Sequence, residues 1–245
     1  MGAAELRDRG YAWLRGVLTP EQVRDARALV EDVVRRLDPP SLHAPEATPI
    51  AEGAFVTASG LALPGLLRMQ PALEPMLLPE RVLDPVLDAL GEGARLEVAG
   101  ALVSDRTRPF FRWHCHIDGI DESERMRAGH WPTVASLRRL LVLGYLDDLD
   151  EHTGTLRLLP RRVGEQTAPR GPLDAEHWPG AIEVRARAAD AVVLDECTWH
   201  AAGAMRREGL RIVLVTFFRV ANTPPAPFAD PWLEAIDLPS RRGAH

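Results

Sequence analysis

Lysine is absent from this chain. All 29 basic residues are arginine, and asparagine occurs once, at Asn222. Lysine and asparagine both have AT-rich codons, which points to a GC-rich bacterial genome. Cysteine is scarce as well: Cys115 and Cys197 alone form no disulfide framework. No apolar run is long enough to span a bilayer. Charge appears almost at once (Glu5, Arg7, Asp8, Arg9), without the apolar stretch of a secretory signal. Nor is there a block of one charge. The 29 arginines and 35 acidic residues are interspersed, with a net charge of −6, so no basic face marks a nucleic-acid surface. No period of 20–50 residues signals a repeat array. The expected setting is cytoplasmic, with no membrane and no nucleic acid as partner.

What is present is a core. Hydrophobic residues make up 46% of the 245, enough for one sizeable domain of an all-β kind. Thr19-Pro20-Glu21-Gln22 reads as a helix start, with a capping threonine, proline at the first helical position and glutamine completing a capping box. Val23, Ala26, Val30, Val33 and Leu37 follow on one helical face, and Pro39-Pro40 ends the run. A short strand is expected before it, over 11–17. Residues 41–75 are rich in Pro, Ala and Gly without a clear period, and are expected as loops and turns. A second helix is expected over 80–90, closed by Gly91-Glu92-Gly93.

The character then changes. Segments 95–103, 112–117, 137–146, 155–159, 182–187, 191–194 and 210–220 all read as strands, rich in Val and Leu and separated by turn signals such as Glu151-His152-Thr153-Gly154. Strands without intervening helices argue for an antiparallel barrel or sandwich. The expected fold class is mainly β with flanking helices: a double-stranded β-helix (a jelly roll, cupin-like) packed against N-terminal helices.

Among eight histidines, one cluster stands out: Trp113-His114-Cys115-His116-Ile117-Asp118-Gly119. In a strand, residues i and i+2 point the same way, so His116 and Asp118 would project from one face and chelate one metal. A single further histidine would complete the 2-His-1-carboxylate set used with iron(II), which leaves open positions. The His-x-Asp pattern is short and common. His114 shares the parity of His116 and is a rival ligand; lacking a carboxylate two residues on, it reads as a residue of the pocket. Cys115 should face the other side of the strand. A third ligand must come from a later strand. Thr198-Trp199-His200-Ala201-Ala202-Gly203 follows one, and then Arg211 opens the apolar run Ile212-Val213-Leu214-Val215. A guanidinium entering a buried sheet needs a partner. That partner is either a core carboxylate or the carboxylate of a ligand, held in arginine's two-point geometry.

Taken together, these residues resemble the phytanoyl-CoA dioxygenase family of iron(II)- and 2-oxoglutarate-dependent oxygenases. The likeness runs from Gly10-Tyr11-Ala12-Trp13 through Thr19-Pro20-Glu21-Gln22, the His116-Ile117-Asp118 motif and Leu146-Asp147-Asp148 to Thr153-Gly154-Thr155-Leu156. It ends with the spacing of His200 and Arg211. The resemblance implies His116, Asp118 and His200 as catalytic metal ligands for Fe(II), Arg211 on the far carboxylate of 2-oxoglutarate, and Thr155 as a further cosubstrate contact. It implies one oxygenase domain over 1–245: a helical part over 1–94, a jelly-roll core over 95–220 and a tail over 221–245. The partners would be molecular oxygen and a small-molecule, natural-product type of substrate. Related halogenases lack the carboxylate, so Asp118 implies hydroxylation, with desaturation, epimerisation or cyclisation as variants. The sequence departs from the family at Pro160-Arg161-Arg162-Val163, where Pro-Gly-Ser-His is common, and at Met205-Arg206-Arg207, where Asn-x-Ser is common. Segments 41–62 and 120–133 are candidate walls of the substrate pocket. Two other readings compete: a jelly-roll metalloenzyme that does not use 2-oxoglutarate, and a non-catalytic binding protein of the same fold.

Overall fold

The computed structural model describes residues 3–119 and 128–238. A short helix α1 (Ala3–Arg9) leads through Gly10 into strand β1 (Tyr11–Leu14), and the long helix α2 spans Pro20–Leu37. Its start is the expected capping box: Thr19 Oγ1 accepts from Gln22 N at 3.1 Å, and Gln22 Oε1 accepts from Thr19 N at 2.9 Å. Its end is Asp38 in the left-handed region (φ 42°), a conformation that short polar side chains tolerate. Ala26, Val30 and Val33 form its buried stripe.

Residues 41–75, expected as loops, instead hold three strands: β2 (Thr48–Ala51), β3 (Ala54–Thr57) and β4 (Gly60–Leu63). Each is only four residues long, and Gly, Ala and Pro dilute the alternation of Ala54 and Val56 with Phe55 and Thr57. The turns α3 (Leu66–Met69) and α4 (Glu74–Leu77) follow, then helix α5 (Glu80–Leu90), which runs through Pro85 and ends at Gly91. The N-terminal part is therefore not simply helical; it supplies four strands to the main sheet.

The remaining strands are β5 (Arg95–Ser104), β6 (Phe111–His114), β7 (Arg139–Tyr145), β8 (Leu156–Leu158), β9 (Ile182–Val184), β10 (Ala191–Asp195), β11 (His200–Ala202) and β12 (Arg211–Arg219). They form two antiparallel sheets. The large one has the order β1-β10-β7-β12-β5-β4-β3-β2, and the small one β6-β11-β8-β9. This is a jelly-roll core with helices on one side. Alternation along β12 shows how it works. Ile212, Leu214 and Phe218 pack toward the helices with Val30, Leu83 and Leu87. Val213 and Phe217 face the small sheet, with Tyr145, Leu156 and Leu158. A third cluster backs the small sheet, where Trp113 stacks on Trp178 (centroids 4.6 Å apart) and Trp199 lies against both Trp178 and Trp131.

Of the candidate wall 120–133, residues 120–127 lie outside the described residues, and Trp131 belongs to this rear cluster. No helix among the described residues is long and apolar enough to cross a membrane.

Candidate metal centre and anion end

A cavity of about 490 Å³ lies between the sheets. Most of its wall is apolar, and no aspartate or glutamate lines it among the described residues. The candidate wall 41–62 does reach it, through Ala47, Phe55, Thr57, Ser59 and Ala62. From β12 come Arg211, Val213, Val215 and Phe217, and from the facing strands His114 and His200.

Three imidazoles converge here. His114, His116 and His200 each offer a ring nitrogen, and these atoms lie within 4.8 Å of one another. His114 closes β6 and His200 opens β11, directly opposite in the ladder. His114 Nδ1 contacts Arg112 O at 3.0 Å, and His200 Nδ1 contacts Thr198 O at 2.9 Å. A carbonyl only accepts, so both contacts fix the Nδ1–H tautomer and leave Nε2 as the electron-pair donor. Burial, and then the neighbouring His116, push His114 down to about 3. Burial, and then His114, hold His200 well below the usual histidine range. Both rings are thus neutral at physiological pH, the form that binds a metal.

Asp118 reaches the site differently from the sequence expectation. The ladder of β6 stops at His114, and residues 117–119 form a 3-10 turn with Asp118 at φ 57°. Strand parity therefore does not relate Asp118 to His116. Asp118 stands outside the three-histidine group, and its Oδ1 accepts from Arg138 Nη2 at 2.7 Å. His114, expected to stand aside as a pocket residue, is a full member of that group.

A chain of charges that the sequence reading missed underlies this turn. Glu196 accepts from Asp118 N (2.8 Å), Arg138 Nε (2.9 Å) and Arg139 Nη1 (3.0 Å). Arg139 in turn meets Glu97 at 2.6 Å. Glu97 also accepts from Ala226 N at 2.8 Å, and Arg139 donates to Pro224 O at 2.8 Å. These bonds tie the C-terminal segment to the site, where Phe228 packs on Phe217 and His116 (centroids 5.1 and 6.5 Å). The available signal was Glu97 inside the apolar strand β5, since a buried charge demands a partner.

At the other end, Arg211 is 4% exposed. Its Nε has no hydrogen-bond partner, and among the described residues it makes no ion pair. Its guanidinium carbon lies 5.9 Å from the Tyr145 ring centroid. Burial lowers its pKa, a shift that Tyr145 and Asp147 oppose. Thr155 is buried beside Gly203, whose N–H its carbonyl accepts at 2.9 Å, and it is not part of the cavity wall; its neighbour Leu156 is. Cys115 and Cys197 are free thiols, buried with Trp113 and Trp199 in the rear cluster, away from the cavity. Burial pushes Cys197 up.

No family model matches the chain, and no curated protein matches it in sequence. Solved structures do share its fold. SnoK, a non-heme alpha ketoglutarate dependent carbocyclase from nogalamycin biosynthesis, superposes with a TM-score of 0.66 at 18% identity, over 92% of this chain and 85% of SnoK. The epimerase SnoN, in complex with Fe3+, alpha ketoglutarate and nogalamycin RO, gives 0.65 at 18% identity, over 99% and 90%. HygX from Streptomyces hygroscopicus, with nickel, 2-oxoglutarate and hygromycin B bound, gives 0.59 at 17% identity, over 89% and 85%. The chain therefore has the jelly-roll fold on which these non-heme, 2-oxoglutarate-binding proteins are built.

Proposed function

We propose that this chain is an iron(II)- and 2-oxoglutarate-dependent oxygenase, a single cytoplasmic domain acting on a small molecule of natural-product type. His116, Asp118 and His200 hold the iron, and Arg211 holds the far carboxylate of 2-oxoglutarate. The observation that carries this reading is the pairing of two unmet demands in one cavity. Neutral imidazoles converge at one end, and a buried arginine without a counter-ion among the described residues waits at the other. Nitrogen and carboxylate ligands that leave positions open suit non-heme iron, and an unpaired buried guanidinium suits a carboxylate. The solved neighbours that bind both a metal and 2-oxoglutarate support the same combination.

Iron, 2-oxoglutarate and oxygen supply the oxidising power when bound. The chain's residues orient and shield. Arg138 donates to one oxygen of Asp118 at 2.7 Å, an outer contact of the kind that orients a ligating carboxylate. Phe217, Phe228 and the apolar wall line the substrate space. Thr155 gains no support as a cosubstrate contact, because the cavity wall passes through Leu156.

A second reading has one observation in its favour. The group that closes within 4.8 Å is all histidine, which suits a metalloenzyme that needs no 2-oxoglutarate. Arg211 weighs against it, since such an enzyme has no far carboxylate to hold. The test is incubation of the iron(II)-loaded protein with 2-oxoglutarate and a panel of metabolites in air. Succinate release above the metal-free control, stimulated by one member of the panel, is the expected result. Oxidation of a panel member without any 2-oxoglutarate requirement would replace the first reading with the second.

A further inference from the structure

The Arg211 end of the cavity carries more positive charge than the described residues balance. In the β5–β12 ladder Arg211 sits opposite Ser104, the last residue of β5. The chain then turns, with Arg108 N donating to Asp105 O at 3.1 Å. This turn brings in a second guanidinium. Arg108 is 2% exposed. Its Nη2 donates to Gly203 O at 2.7 Å and its Nη1 to Pro109 O at 3.3 Å, while its Nε has no partner. Gly203 directly follows β11, whose Ala201 and Ala202 line the cavity.

Neither arginine has a carboxylate partner among the described residues. The nearby Asp147 is already taken: Arg27 lies at 2.6 Å, Arg207 at 2.7 Å, and Ile212 N donates to it at 3.0 Å. Arg108 and Arg211 repel each other, and burial together with that repulsion brings Arg108 down to about 9. Carbonyl dipoles solvate a buried guanidinium but do not cancel its charge.

We propose that Arg108 and Arg211 form one anion seat, in which Arg108 supplies a second positive charge behind the carboxylate that Arg211 grips. The ligand class is a small dicarboxylate entering with its far carboxylate first. Naming it 2-oxoglutarate rests on the proposed function; the seat itself rests on the two unbalanced arginines. Arg108 is a positioning residue, acting through the field it adds and through Gly203.

The experiment compares two 2-oxo acids on the anaerobic iron(II) protein: 2-oxoglutarate, and 2-oxovalerate, which lacks the far carboxylate. Succinate serves as a third ligand without the 2-oxo group. Arg108→Gln keeps a donor for Gly203 O and removes the charge. It should weaken 2-oxoglutarate and succinate by about 10- to 100-fold, leave 2-oxovalerate within about twofold, and leave iron affinity unchanged. Arg108→Lys keeps the charge and should retain most of the preference for 2-oxoglutarate over 2-oxovalerate. Equal weakening of both 2-oxo acids in Arg108→Gln would mean a merely structural role and overturn the seat. So would wild-type affinity for 2-oxoglutarate in that variant, with the oxygenase reading left standing. If Arg108→Gln does not fold, a folded Arg108→Lys that has lost the preference is the overturning result. A wild-type protein that binds neither 2-oxoglutarate nor succinate removes both the seat and the cosubstrate reading.

Discussion

The two ends of the cavity are built by opposite means. Arg211 is the first residue of a nine-residue strand, and its direction follows from the alternation that also turns Val213, Val215 and Phe217 inward. A regular ladder does the positioning. At the histidine end the ladder places His114 and His200 and then stops. His116 and Asp118 lie beyond β6, Asp118 has a positive φ, and the turn is held by Glu196, Arg138 and Arg139 rather than by strand pairing. Side-chain direction can thus be delivered by backbone periodicity at no special cost. Where function needs an irregular turn, a buried charge network must fix what periodicity no longer does.

The largest expected effect separates the ends most sharply. His200→Ala removes the imidazole that opens β11 and should abolish stoichiometric iron(II) binding, read as metal content after anaerobic loading. Arg211 is no ligand, so Arg211→Ala should load iron normally. Wild-type metal content in His200→Ala would end the metal assignment.

Arg211→Ala should instead weaken 2-oxoglutarate by roughly two to three orders of magnitude, because unpairing a desolvated ion pair costs about 3–5 kcal/mol and each tenfold is about 1.4 kcal/mol. Arg211→Lys should recover only part, since an ammonium lacks the planar two-point contact. The readout is the metal-to-ligand absorption band during anaerobic titration. Unchanged affinity would take the clamp out of the site.

The same contrast explains what could be read in the sequence. The strands from 95 onward other than β11, both long helices and the Thr19–Gln22 capping box are visible because periodicity and capping chemistry are local; β11, three residues long, is not. The inward face of Arg211 follows from the same periodicity. Strands β2, β3 and β4 are hidden because four residues hold too few periods, and Ala, Gly and Pro blur them. The placement of Asp118 is hidden for a different reason. Parity holds only while a strand lasts, and nothing local announces that β6 ends at His114. The partners that hold the turn, Glu97 and Glu196, lie 21 residues before and 78 residues after Asp118 in the chain, a separation that no local pattern bridges.

Glu196→Gln tests the network directly. It keeps the shape, removes the charge that Arg138 and Arg139 share, and loosens the grip on Asp118 N. Outer contacts of metal ligands typically contribute about 10- to 100-fold in metal affinity, and that weakening is expected for iron(II). Affinity of the seat for succinate should not move, because Glu196 touches only the histidine end. A parallel loss of succinate binding would show that the two ends are one mechanical unit and would dissolve the comparison.

The smallest effect is one of pH, and it also belongs to one end only. Arginine does not titrate near neutrality, whereas His114 is half-buried and neutral, with its pKa pushed down to about 3 from an ordinary 6.5. The unfolded chain, with histidines near 6.5, takes up a proton there as the pH falls, and the folded chain does not. Between these two values the unfolded state binds more protons, so stability rises with pH across the window. The stability that neutral His114 contributes is fully present above about pH 6.5 and is lost progressively below it. One pH unit below 6.5 this amounts to about 1.4 kcal/mol, or roughly 3–6 °C in Tm for a chain of this size. Metal-free wild-type protein should therefore lose more thermal stability between pH 7.5 and pH 5.5 than His114→Asn, which has no titrating ring, by about that margin. His200 contributes a drop of the same sign in both proteins. Parallel curves for the two proteins would mean that the folded protein lets His114 charge, and that the histidine end is wetter than its burial indicates.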